Sequence, residues 1–123
     1  MGKLISVQPV LPTKDVVAGI AFYVKRLGFQ VAFQDHALTP HYAGLRRDGV
    51  ELHLQWHDSV GWERIERPML RMVVEDLDEL FAELGQKGVF HKATAIRAMP
   101  WGTREFAFFD PSGNGLTFYC DRA

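Results

Sequence analysis

The chain holds a single cysteine, Cys120, so no disulfide can form within it, and a reducing, cytoplasmic setting is the expectation. It has no apolar run near the roughly 20 residues of a membrane-spanning helix. Its opening, MGKLISVQPV, lacks a signal-peptide core, so no membrane partner is expected. Long basic stretches are missing and the formal net charge is −1, which gives nucleic-acid phosphate little to bind. Arrangements for nucleophilic catalysis are absent too. Ser59 and Ser112 stand outside a Gly-x-Ser-x-Gly turn, and Cys120 has no histidine at a motif spacing. Gly113-Asn114-Gly115 is a turn signal too short to cradle a phosphate. What is there is 123 residues of ordinary globular composition, 47% hydrophobic and 24% charged, enough for one domain with a real core.

Turn residues divide this chain into short elements. Residues 3–11 read as a strand containing Pro9, which has no N–H for a ladder and so points to an edge or a change of direction. Thr13 or Asp15 can cap a helix running to about Arg26, with Val17, Ile20, Ala21, Val24 and Leu27 as its apolar stripe and Gly28 as its stop. Residues 29–34, Tyr42–Arg47 and Val50–Trp56 read as strands, the last two joined by an Asp48-Gly49 hairpin turn. Residues 57–67 carry mixed charge without a period and are expected to be a linker or exposed loop.

From Pro68 the order repeats. Residues 68–74 predict a strand, and Asp76 with Glu79 predicts a capped helix bearing Leu77, Leu80, Phe81 and Leu84, a Glu83–Lys87 ion pair and a stop at Gly88. Residues 90–97, 104–109 and 116–120 give three more strands, the last two paired across a tight turn at residues 110–115. The fold class is therefore α+β, strand-helix-strand-strand-strand written twice. One module covers about residues 1–57, a linker 58–67, and a second module 68–123. Phe22, Phe81, Phe106 and Phe118 are assigned to the core.

Two groups of side chains could carry function. Glu51, His53, Gln55 and His57 alternate along one strand and share a face, where they either line a wet cleft or begin a metal or general-base site. The aromatics Phe33, Tyr42, Trp56, Trp62 and Trp101, the last followed by Gly102, could stack on a planar ligand or simply pack.

Four stretches then become recognisable: PVLPTKDVVAGIAFYVKRLGF from Pro9, YAGLRRDGVELHL from Tyr42, VVEDLDELFAEL from Val73 and PWGTREFAFFDPSGNGLTFY from Pro100. They resemble the glyoxalase/bleomycin-resistance superfamily, also called vicinal oxygen chelate, and within it the bleomycin-binding resistance proteins. The resemblance implies paired βαβββ modules curled as a mixed sheet around a cleft, and a homodimer with its N-terminal strands exchanged about Pro9. It implies sequestration of a small aromatic or glycopeptide antibiotic of the bleomycin type, without catalysis or a cofactor. Phe33, Tyr42 and Trp101 are the ligand contacts it carries over. Metalloenzymes of the superfamily would place ligands at Gln8, Glu51, Met69 or Leu70, and Thr117, of which only Glu51 suits a cation. A metal-dependent lyase, dioxygenase or thiol transferase working through Glu51 and His53, or a binder of another aromatic compound, is the alternative.

Overall fold

In the computed structural model, which describes residues 2–122, the element order of the first half recurs in the second. Strands β1 (Val10–Thr13), β2 (Gln30–Gln34), β3 (Tyr42–Arg47) and β4 (Val50–Trp56), with helix α1 (Val16–Lys25), make the first half. A short helix α2 (Ser59–Arg64) leads into β5 (Met69–Val73), α3 (Leu77–Gly85), β6 (Arg97–Ala98), β7 (Thr103–Phe109) and β8 (Gly115–Asp121). The result is two four-stranded mixed sheets, ordered β1-β4-β3-β2 and β5-β8-β7-β6. In each, the opening strand runs parallel to the last and the other pairs are antiparallel. No helix among the described residues is long and apolar enough to cross a membrane.

Period-two alternation gives each sheet one buried and one open face. Leu52 and Leu54 of β4, and Leu116 and Phe118 of β8, point into a single core shared with Leu11, Tyr23, Leu45, Met72, Leu84 and Phe106. Phe106 and Phe118 are buried as expected, whereas Phe22 and Phe81 lie partly buried at the core's edge. The alternate residues of β4, Glu51, His53 and Gln55, therefore fall on the face away from that core, as do Thr117 and Tyr119 of β8.

Asp15 caps α1 as its position suggests, its carboxylate accepting a 3.0 Å bond from the Ala18 amide. The inward face is rotated from the expected stripe: Val16, Gly19 and Tyr23 are buried and Val17 is 57% exposed. Gly19 explains the rotation, since a Cβ there would meet Leu54 Cδ1 at 2.9 Å, so the helix lies against β4 through its smallest residue. Gly28 and Gly88 follow α1 and α3 with φ of 74° and 70°, a left-handed backbone that suits glycine and turns the chain back.

Several expectations are corrected. The first strand begins at Val10, so Pro9 precedes it, and the apolar residues Leu4, Ile5 and Val7 have no strand to join and stand exposed. Pro12 is the proline that lies within this edge strand. Residues 57–67 contain α2, capped where Asp58 accepts from the Gly61 amide at 2.7 Å. Asp76 adopts a left-handed conformation (φ 61°) and makes no side-chain cap; its carboxyl instead raises the pKa of Glu79. Glu83 pairs with Arg47 of β3 through two 2.9 Å contacts, not with Lys87. The strand expected over 90–97 shrinks to Arg97–Ala98, because a turn between His91 and Thr94 bends the chain after Phe90 has packed against Phe81 and Phe106.

Candidate ligand-binding site

On the open face of the first sheet, neighbouring strands assemble a connected polar and aromatic row. Strand register sets Gly44 beside both Phe33 and His53, and because Gly44 has no side chain the Phe33 ring lies down across it. Phe33 thereby stacks on Tyr42, with centroids 6.1 Å apart and 17° between planes, and meets His53 edge-on at 5.1 Å. The His53 ring is held at both nitrogens: Nδ1 is 2.8 Å from the Tyr42 hydroxyl and Nε2 is 2.8 Å from Glu51. A neutral imidazole satisfies both, with Nε2–H donating to the carboxylate and Nδ1 accepting the phenol proton. Arg46 closes the row by donating to the other Glu51 oxygen at 2.6 Å. The hydrogen bond from His53, then that from Arg46, lowers the Glu51 pKa. Phe33 keeps 42% of its surface exposed, so this row offers a flat apolar face backed by fixed polar groups.

The second sheet carries a similar row that sequence reading did not find. Arg71 of β5 reaches across β8 to Glu105 of β7, with contacts of 2.7 and 3.2 Å, and its guanidinium lies 4.2 Å over the Tyr119 ring. Glu105 also accepts from Thr103 Oγ1 at 2.6 Å and from the indole Nε1–H of Trp101 at 3.0 Å. The Arg71 guanidinium, helped by the Thr103 and Trp101 donors, lowers the Glu105 pKa to about 2. Trp101 sits in the turn between β6 and β7, closed by Gly102 N to Met99 O at 3.0 Å with Gly102 at φ 94°. Its ring is 61% exposed. The signal that could have found this row is the alternation Thr103, Glu105, Ala107 opposite Phe106 and Phe108, which puts a carboxylate on the open face beside the Trp-bearing turn.

The structure thus joins Phe33, Tyr42, Glu51 and His53, and ties Trp101 and Gly102 to the other sheet. Gln55 pairs with Tyr42 and Pro12 at the end of the first row. Trp56 is elsewhere, stacked on His41 at 4.7 Å. Trp62 is 7% exposed, lies between Lys14 and Arg67, and borders a hollow with Asp15, Gly19 and Ser112, away from both rows. A separate hollow between the β3–β4 turn and α3, walled by Leu27, Phe29, Val50 and Leu80, holds none of the sequence-predicted site residues.

The superfamily's metal positions are a poor donor set here. Gln8 is exposed with its amide on Ser6, Met69 is apolar, and Arg71 stands opposite Thr117 in the β5–β8 register, placing a cation where a cation would have to bind. Among the described residues no three His, Cys, Asp or Glu side chains are grouped to hold a metal ion.

Comparison with known proteins agrees with this architecture. The chain is 28% identical over 126 residues to the bleomycin resistance protein of Geobacillus stearothermophilus, covering 90% of this chain and 92% of that one. The bleomycin-binding protein of bleomycin-producing Streptomyces verticillus, solved with copper(II)-bleomycin, superposes with a TM-score of 0.77 at 31% identity over 96% of this chain and 97% of that one. A bleomycin resistance determinant encoded on transposon Tn5 shares the fold, with a TM-score of 0.81 at 23% identity over 98% of this chain and all of that one. Residues 5–118 match the profile of the Glyoxalase/Bleomycin resistance protein/Dioxygenase superfamily, and the chain belongs to that superfamily.

Proposed function

We propose that this protein binds and sequesters a bleomycin-type glycopeptide antibiotic, conferring resistance by stoichiometric binding without catalysis. The observation that carries the reading is the exposed aromatic pair of open faces: Phe33 on Tyr42 in one sheet and Trp101 beside the other. Planar heteroaromatic groups stack on such rings, each contact contributing on the order of 1 kcal/mol beyond area burial. Relatives named for bleomycin resistance and bleomycin binding support the choice of ligand. Glu51, His53 and Gln55 supply the polar floor of the first face, and Gly102 lets the Trp101 turn approach the ligand.

The working unit is a homodimer. Each protomer is one domain in which modules 1–57 and 68–123, joined through 58–67, share a core. Phe33, Met69, Val73, Trp101 and Phe109 leave the open faces apolar and exposed, as surfaces that meet a second protomer around a ligand do. The exposed Leu4, Ile5 and Val7 ahead of Pro9 suit an exchanged N-terminal segment, with Pro9 as its hinge. The single free thiol suits the cytoplasm.

Titration with metal-free bleomycin, followed by tryptophan fluorescence and by calorimetry, tests the reading. Saturable binding at micromolar concentration or tighter is expected, and its absence overturns the assignment.

A further inference from the structure

Trp101 presents a contradiction. A ring with 61% of its surface in water, carried on a turn through a glycine of positive φ, should be free to reorient, yet its one polar atom is bonded to a carboxylate that is itself held by other side chains. Glu105 is buried at the base of the open face, and four donor contacts converge on it from three side chains. Arg71 supplies two of them and is in turn laid against the Tyr119 ring, so the anchor of the carboxylate is braced by packing as well as by charge. The backbone of the turn adds a second restraint, through Met99 N to Thr103 O at 2.8 Å and Arg122 N to Gly102 O at 2.8 Å.

We propose that Glu105, held by Arg71, is a positioning residue that fixes the attitude of the Trp101 indole before any ligand arrives. The proposal rests on the reading of Trp101 as a ligand-stacking residue, but the restraint is a property of the free protein. A side chain already ordered loses little conformational freedom when a ligand settles on it, and that saving appears as affinity. Bonding through the indole N–H engages the edge of the ring and neither of its faces, whereas burial would order the ring and remove it from reach. Ionisation of Glu105 supports the arrangement, because its oxygens then act only as acceptors and every donor around it is satisfied.

Nitrogen-labelled protein gives the first test without any ligand. The Trp101 indole N–H signal, identified by its loss in Trp101→Phe, is expected to be sharp and slow to exchange with water. Glu105→Ala and Arg71→Met should broaden it or hasten exchange, and Glu105→Gln, whose amide oxygen can still accept, should restore part of the protection. An indole signal unchanged in both Glu105→Ala and Arg71→Met overturns the proposal. Bleomycin affinity gives the second test. Glu105→Ala should weaken binding by about three- to tenfold in the otherwise native chain and not at all on a Trp101→Ala background. An equal loss in both backgrounds means that Glu105 acts on the ligand or the fold directly, and overturns positioning. Failure of the native protein to bind bleomycin would overturn the functional reading instead, leaving the indole measurement to decide the role of Glu105.

Discussion

The phenol of Tyr23, in the first helix, donates a 2.8 Å hydrogen bond to Asp110, in the turn that closes the last hairpin. The same carboxylate accepts from the Ser112 and Asn114 amides and from the Asn114 side chain, whose Nδ2 also donates to Pro12 O in β1. One buried carboxylate therefore holds the tail hairpin in shape and fastens it to the first half of the chain. Tyr23→Phe keeps the ring's packing and removes one donor of four. It is expected to lower stability by about 1–2 kcal/mol in urea denaturation, with m unchanged.

That bond also gives the protein an alkaline limit. Burial, then the charge of Asp110 and the hydrogen bond to it, raises the Tyr23 pKa well above 10.0. The folded state therefore keeps this proton where the unfolded chain releases it, so the stability contributed by this group is complete below pH 10 and is lost as pH rises beyond it. Denaturation midpoints measured from pH 8 to 11 should decline less steeply in Tyr23→Phe than in the native protein.

How much of this was legible follows from how local each signal is. Tyr42–Arg47 and Val50–Trp56 were readable because Asp48-Gly49 sets their hairpin turn and alternation does the rest. Alternation likewise put Glu51 and His53 on one face, and they are hydrogen-bonded there. Helix α2 escaped because six residues with one buried side chain, Trp62, make no period. The Glu83–Lys87 spacing was real, but Arg47 from another element offered Glu83 a bidentate partner, and tertiary geometry prevailed. Arg71 and Glu105 could not be paired from sequence because the register Arg71–Thr117 and Glu105–Tyr119, which brings them together, is set by strands far apart in the chain.

Gly44 offers a test of Phe33 that leaves Phe33 itself in place. A Cβ on Gly44 would clash with one edge of the Phe33 ring, and because the ring is 42% exposed it can swing away. Gly44→Ala should therefore cost little stability while breaking the stack on Tyr42. Calorimetry should find bleomycin bound about 1 kcal/mol more weakly. Unchanged affinity would mean that Phe33 serves packing alone.

Trp62 and Trp101 should respond to truncation in opposite ways. Trp62 is buried between Lys14 and Arg67, so Trp62→Ala is expected to lower stability by about 3 kcal/mol and leave ligand affinity nearly as it was. Trp101→Ala removes an exposed ring. It should leave the melting temperature within a few degrees of native and weaken bleomycin binding by about 1–3 kcal/mol. Thermal unfolding and calorimetry on the same two variants separate the roles, and a crossed result would exchange them.

Acid should act through Glu105. Its folded-state pKa of about 2, against an ordinary 4.5, means that the folded protein holds the carboxylate ionised where the unfolded chain protonates it. Stability from this group is complete above pH 4.5 and is lost as pH falls towards 2. Arg71, its chief partner, is partly open to water, and solvent screening reduces what the pair contributes. Glu105→Gln should accordingly lower stability at pH 7 by about 1–3 kcal/mol and flatten the decline between pH 4.5 and 2. Urea midpoints measured across that window check both, and parallel acid limbs in the two proteins would show that the Arg71–Glu105 pair is not what the acid breaks.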